Sequence, residues 1–221
     1  MDFSGHRFEK AIILLNVRWY LSYQLSYRNL SELMSERGIL VNHTNIYRWV
    51  VKFSGEIDKT IRKLKGPVSG SWRLDETYIK VQGKWRYLYR AVDKHGDTVD
   101  FLLTQKRDKT AALRFLRKAV GSSGIPESVT IDKSGSNKSA LESFVEESGS
   151  QIEIRQSKYL NNMVEQDHRT VKRKMRAALG FKSFWSAKKT IAGIEAMSMI
   201  RKGQVRSEGT TTVGTFWAIF G

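Results

Sequence analysis

The hydrophobic pattern changes period once along the chain, and that change constrains the fold more than any other feature. Up to about residue 65 the apolar residues recur at helical spacing. Residues 8–22 (FEKAIILLNVRWYLS) form a strongly apolar segment of helix length. A second helix is predicted to start at Ser26 as N-cap, burying Leu30, Leu33 and Met34, with Gly38 in the place of a C-terminal cap. A third is predicted over about 43–53, where Ile46, Trp49, Val50 and Phe53 recur at i, i+3, i+4 and i+7. Gly66-Pro67-Val68-Ser69-Gly70-Ser71 then breaks the pattern. Beyond it, residues 72–81, 85–93 and 98–105 alternate with period two and are joined by short turns at 82–84 and 94–97. A helix over 108–120, a strand at 128–132, a helix over about 137–148, a strand at 151–156 and helices over about 161–179 and 184–202 complete the order βββαβαβα.

That order is the order of a ribonuclease-H-like domain. The expected fold is therefore α/β: a mixed sheet flanked by helices, preceded by a small all-α domain. The expected boundaries are 1–65 for a helix-turn-helix domain, 66–71 for a linker, 72–204 for the catalytic domain and 205–221 for a Gly/Thr-rich tail. Two short helices joined by a turn containing glycine fit a helix-turn-helix. In that reading Thr44, Asn45 and Arg48 enter the major groove, with Lys52 on the same polar stripe. The competing reading is a plain three-helix cap with a solvated polar face.

Charge narrows the class of partner. Thirty-eight Lys and Arg against 22 Asp and Glu give a formal net charge of +16. Self-repulsion on that scale opposes compaction, so a polyanion is the natural partner. The most apolar run, Ala11 to Val17, is too short to span a bilayer, which leaves nucleic acid rather than a membrane. There is no cysteine, which excludes disulfides, thiolate zinc sites and cysteine nucleophiles. The four histidines are scattered, so a catalytic metal must be held mainly by oxygen, which suits Mg²⁺ or Mn²⁺.

Three acids stand out by position: Asp75 within the first strand, Asp132 at the end of the fourth, and Glu165 in the first turn of a long helix. Carboxylates converging in that way can hold two Mg²⁺ ions for phosphodiester chemistry. Each also has a plainer reading, as a turn residue, an ion-pair partner or a helix N-terminal acid. Glu76 is expected on the opposite strand face from Asp75, and Asp167 on the far side of its helix from Glu165. At about 100° per residue, Arg169, Lys172 and Arg176 fall within roughly 40° of Glu165, while Val164, Val171, Met175 and Ala178 form the buried side. One carboxylate followed by three cations on an exposed face exceeds what a surface ion pair needs. It suits a metal ligand whose helix follows a phosphate backbone.

Asp75, Asp132, Glu165 and Lys172 are spaced by 57, 33 and 7 residues. With the words WRLDETYIKV, KWRYLYRAVDK, TIDKSGSN and KYLNNMVEQDHRTVKR, and with VRWYL and TNIYRW further upstream, the chain closely resembles the IS-six family of bacterial DDE transposases over about residues 8–204. The resemblance implies a metal-binding catalytic triad of Asp75, Asp132 and Glu165, with Lys172 on DNA near the cut end. It further implies recognition of terminal inverted repeats on double-stranded DNA, a homo-oligomer on paired ends, strand transfer to target DNA with cointegrate formation, and a bacterial, nucleoid-associated location in the cytoplasm. The alternatives are a helix-turn-helix regulator or decayed transposase without catalysis, and an RNA-directed or junction nuclease of the same fold.

Overall fold

The computed structural model describes residues 1–132, 135–157, 162–177 and 181–221, excluding the side chains of residues 162, 163, 165, 166, 170 and 175–177. The first elements are α1 (Lys10–Ser22), α2 (Tyr27–Ser35), α3 (His43–Leu64), β1 (Ser71–Val81), β2 (Lys84–Asp93) and β3 (Thr98–Thr104). They are followed by α4 (Lys109–Ser123), β4 (Ser128–Ile131), α5 (Gly135–Ser148), β5 (Glu153–Gln156), α6 (Asn162–Ala177), α7 (Phe184–Arg201) and α8 (Thr212–Phe220). They fall into two compact units, residues 1–66 with 171–221, and residues 67–170.

The first unit is helical. Ser26 opens α2 with a capping box: its hydroxyl accepts from Asn29 N–H and its own N–H donates to the Asn29 side chain. Asn42 caps α3 by accepting from Thr44 N–H at 2.8 Å. The third helix runs to Leu64 rather than stopping near residue 53, because Ile57 and Ile61 continue the stripe that Phe53 begins, and all three are fully buried. α7, expected from the sequence in the catalytic domain, packs in this unit against α1 and α3. It is buried on nearly every side, so it needs cover all round, and α1 and α3 provide part of it. Gly193 marks the closest approach: a Cβ there would lie 2.8 Å from Leu21 Cδ1 and from Ser54 Cβ. The C-terminal stretch, which carries little sequence signal, forms α8, with Thr211 as N-cap and Phe216 and Phe220 buried.

The second unit holds a five-stranded sheet in the order β3-β2-β1-β4-β5. β1 pairs antiparallel with β2, and β2 with β3, whereas β1–β4 and β4–β5 are parallel. This mixed sheet with flanking helices is the ribonuclease-H-like arrangement. The β1–β2 turn is made by Gln82 and Gly83, both in the left-handed region (φ 50° and 74°), as a two-residue hairpin turn requires. Asp93 organises the next turn: its carboxylate accepts from the N–H groups of Ser69, His95 and Asp97 at 2.8–2.9 Å. Burial opposes ionisation of that carboxyl, but the three N–H donors outweigh it and hold its pKa below the ordinary range. One sheet face carries the core, where Trp72, Leu74, Tyr89, Ala91, Val99, Val129 and Ile131 pack with Phe115 and Leu116 of α4 and Leu141 of α5.

Candidate active site

Strand alternation sorts the acids of β1. Trp72, Leu74 and Glu76 project to the core face, and Asp75 projects to the other. β4 lies parallel to β1 with Arg73 opposite Thr130. Carried on by two residues, that register sets Asp132, just beyond β4, beside Asp75 on the neighbouring strand, and adjacent strands lie about 4.8 Å apart. Two of the three expected carboxylates are thus brought together at the end of β4. Asp75 and Asp132 are both half-buried.

The face that carries Asp75 is also met by α6. His168 Nε2 lies 3.3 Å from Asp75 Oδ2, and the histidine is only 4% exposed. Directly across the hairpin from Asp75 is Arg90, itself 1% exposed, whose Nη2 pairs with Asp167 Oδ2 at 3.3 Å. A single rung of the sheet, Asp75 opposite Arg90, therefore holds two consecutive residues of the helix that contains Glu165. The Glu165 and Arg176 side chains themselves lie outside the described residues. Arg169 and Lys172 are exposed on α6, as expected of the cationic stripe. Val164 and Val171 are buried as expected, and His168 and Lys174 widen that buried side; Met175 and Ala178 lie outside the described side chains.

Glu76 is more than a bystander on the opposite face. It is buried, ion-paired with Arg107, and accepts from Asn137 Nδ2 at 2.7 Å. Burial raises its pKa; Asn137 and Arg107 act against that, and the negative charges of Asp75 and Asp132 add to it. The negative potential around Asp75 and Asp132 is the kind that a divalent cation relieves. The carboxylate oxygens of Asp75 and Asp132, in a chain without cysteine, suit a hard ion. Among the described residues no group of three His, Cys, Asp or Glu side chains stands ready to hold a metal ion. The expected third ligand, Glu165, is outside them.

In the helical unit, Thr44 and Arg48 are exposed at the start of α3 and Asn45 is half-buried. Lys52 is exposed but engaged: its Nζ donates to the Asp2 carbonyl at 2.9 Å and lies 3.0 Å from His6 Nε2. Residues 36–42 connect α2 and α3, a longer connection than the three- to four-residue turn of the compact helix-turn-helix. No helix among the described residues is long and apolar enough to cross a membrane.

Glu76 and Asp167, expected on the faces away from Asp75 and Glu165, both take part in ion pairs, and no local pattern in the sequence marks His168. One signal could have found Arg90. A two-residue turn at Gln82-Gly83 fixes the hairpin register, and counting back from it sets Arg90 opposite Asp75.

Residues 69–204 match the family described as a DDE domain. Over 207 residues the chain is 39% identical to a transposase for insertion sequence-like element IS431mec of Staphylococcus aureus, covering 93% of this chain and 91% of the other. Identity and coverage are the same for the transposase of insertion sequence element IS257 in transposon Tn4003, also of Staphylococcus aureus. Among solved structures, the catalytic core domain of BIV integrase aligns with a TM-score of 0.47 at 14% identity, over 67% of this chain and 94% of that one.

Proposed function

The chain belongs to the DDE transposases of the IS-six family, and on that premise we propose that it binds the terminal inverted repeats of an insertion sequence and there cuts and joins DNA strands. As a DDE transposase it is a polynucleotidyl transferase that uses a divalent metal. The observation that supports the site assignment is the β1–β4 register, Arg73 opposite Thr130, which continued by two residues would bring Asp132 beside Asp75. Asp75, Asp132 and Glu165 are the proposed ligands of two Mg²⁺ ions, with Mn²⁺ as a substitute. The three carboxylates would hold the ions through their oxygens. When bound, the metals activate the attacking oxygen and stabilise the leaving one.

The chain's own residues supply the rest. His168 and Arg90 hold α6 over Asp75, so that the carboxylate faces the substrate in one orientation. In the first step water attacks the phosphodiester at the element's end, and the broken P–O bond releases a 3′ hydroxyl. In the second, that hydroxyl attacks a phosphodiester of target DNA, joining the element's 3′ end to the target strand and releasing a target 3′ hydroxyl, from which replication by other enzymes would complete the cointegrate. No covalent bond to protein forms in either step. Lys172, Arg169 and Arg176 are the proposed phosphate contacts beside the cut, and Thr44, Asn45, Arg48 and Lys52 the proposed readers of the repeat. The partners are duplex DNA and further copies of the chain on paired ends, in the bacterial nucleoid. Residues 1–65 are the proposed end-binding domain and 72–204 the catalytic segment, with 66–71 as linker and 205–221 as tail.

Incubation of the purified chain with Mg²⁺ and a labelled duplex ending in its element's repeat tests this reading. The expected product is a nick at the end of the element bearing a 3′ hydroxyl, lost on chelation. Tight binding without a nick under any divalent metal would support the regulator alternative instead.

A further inference from the structure

We propose that the exposed end of the β1–β2 hairpin is a binding surface for unpaired DNA bases, formed by Tyr78, Trp85 and Tyr87 with Lys80, and with Lys84 beside the turn on the other face. The inference rests on the reading of the chain as a transposase that handles DNA. Across the hairpin Tyr78 pairs with Tyr87, and Lys80 with Trp85, so these four side chains share one face of the two strands. Tyr87 packs against the core of the sheet, whereas Tyr78 is 46% and Trp85 60% exposed. The hairpin thus carries a row of rings out of the core and beyond the cover that α4 and α5 provide.

The row is held in place before any ligand arrives. Ring centroids lie 5.3 Å apart for Tyr78 and Tyr87 and 6.4 Å apart, edge to face, for Tyr78 and Trp85. Arg107, ion-paired with Glu76, donates from Nη1 to the Tyr78 hydroxyl at 3.2 Å. Lys80 Nζ sits 5.9 Å from the Trp85 ring centroid. At the tip, Gln82 is the one non-glycine residue with positive φ among the described residues, which keeps the turn tight.

Cross-strand packing accounts for one aromatic pair. It does not account for a tryptophan left mostly in water beside a lysine, on a segment without acids. Between Thr77 and Tyr87 the charged residues are Lys80, Lys84 and Arg86. A surface whose charges are all basic favours an anionic ligand. Duplex DNA satisfies its charge but keeps its base faces inside the stack. An unpaired strand offers both phosphates for the lysines and free base faces for the rings, the combination that single-strand binding surfaces use. The surface begins three residues from Asp75, about 10 Å along β1, and on the opposite face of the sheet.

The test is fluorescence anisotropy on the full chain without metal, using labelled oligothymidylate and a random duplex of equal length. Trp85→Ala is expected to weaken oligothymidylate binding about tenfold and duplex binding by no more than about twofold. Trp85→Phe, which keeps a ring, should recover most of the loss, and equal melting temperatures exclude misfolding. Equal loss on both probes, or none on either, overturns the proposal. So does intact oligothymidylate binding with reduced self-association in sedimentation, which assigns the patch to a second copy. Because no metal is present, failure of the chain to nick DNA would refute the active-site reading without touching this result.

Discussion

His168 on α6 and Asp75 on β1 lie 3.3 Å apart, Nε2 to Oδ2, with the histidine almost fully buried. Asp75 is therefore oriented from outside its own strand by a residue three positions after Glu165. Partners of this kind fix the direction in which a carboxylate offers its free oxygen to a metal, and their loss commonly costs 10–100-fold in affinity or activity.

His168→Ala should lower nicking by about 10–100-fold while leaving end binding within about twofold. The distinguishing readout is the Mg²⁺ titration, in which the half-saturating concentration should rise. An unchanged titration with reduced stability would make His168 a packing residue only.

The Arg90–Asp167 pair should act mainly through stability. Asp167→Ala leaves a nearly fully buried guanidinium without this partner. Asp167 keeps some solvent contact, so the cost should fall toward the lower end of the roughly 3–5 kcal/mol expected for breaking a buried pair. Thermal melting should then drop by roughly 10 °C. Asp167→Asn, which keeps a hydrogen-bond acceptor, should recover part of it.

Lys174 predicts a pH dependence. Its side chain is 6% exposed, with Nζ 4.6 Å from the Tyr20 ring centroid and no hydrogen-bond partner among the described residues. Burial, with the charge of Arg201 adding, lowers its pKa from 10.5 to about 7. Between those values the unfolded chain binds a proton that the folded chain lacks. Stability should therefore rise as pH goes from about 7 toward 10.5, and this contribution should be lost as pH falls through 7. Lys174→Met should be more stable than the parent at pH 6 and should flatten the slope above pH 7, both read from urea unfolding at several pH values.

Much of this architecture is legible from periodicity alone. The strand pattern from Trp72 to Thr104 and the position of Asp132 after a short buried strand follow from alternation and from turn residues at Gly83 and Gly96. What is not legible depends on partners distant in sequence. The helix 184–201 is apolar on all sides, and a local pattern says that it is buried without saying against what; α1 and α3 supply the answer. Arg90, Asp167, His168 and Lys174 are charged or titratable residues that single-sequence reasoning sends to the surface by default. Arg90 and His168 are buried, and Asp167 half-buried, where the sheet meets the first turns of α6, whereas Lys174 is buried against Tyr20 of α1; both are facts of tertiary packing. The connection from α2 to α3 likewise resists sequence reading, since Gly38 ends the turn after α2 without fixing where the next helix begins.

DNA binding should be dominated by phosphate contacts and so fall steeply with salt. Lys172→Ala should weaken binding to all duplexes and reduce the salt slope by about one. Arg48→Ala should instead narrow the gap between terminal repeat and random DNA. A flat salt response in the parent chain would contradict the electrostatic account, and unchanged discrimination in the Arg48 variant would remove α3 as the reading helix.

The central claim is that Asp75, Asp132 and Glu165 form one metal-binding triad. The most direct measurement compares end nicking in Mg²⁺ by the parent chain with Asp75→Asn, Asp132→Asn and Glu165→Gln, alongside end binding by each. The account predicts that nicking disappears in all three variants while binding persists. Retained nicking in any one of them would contradict it and would remove that residue from the site.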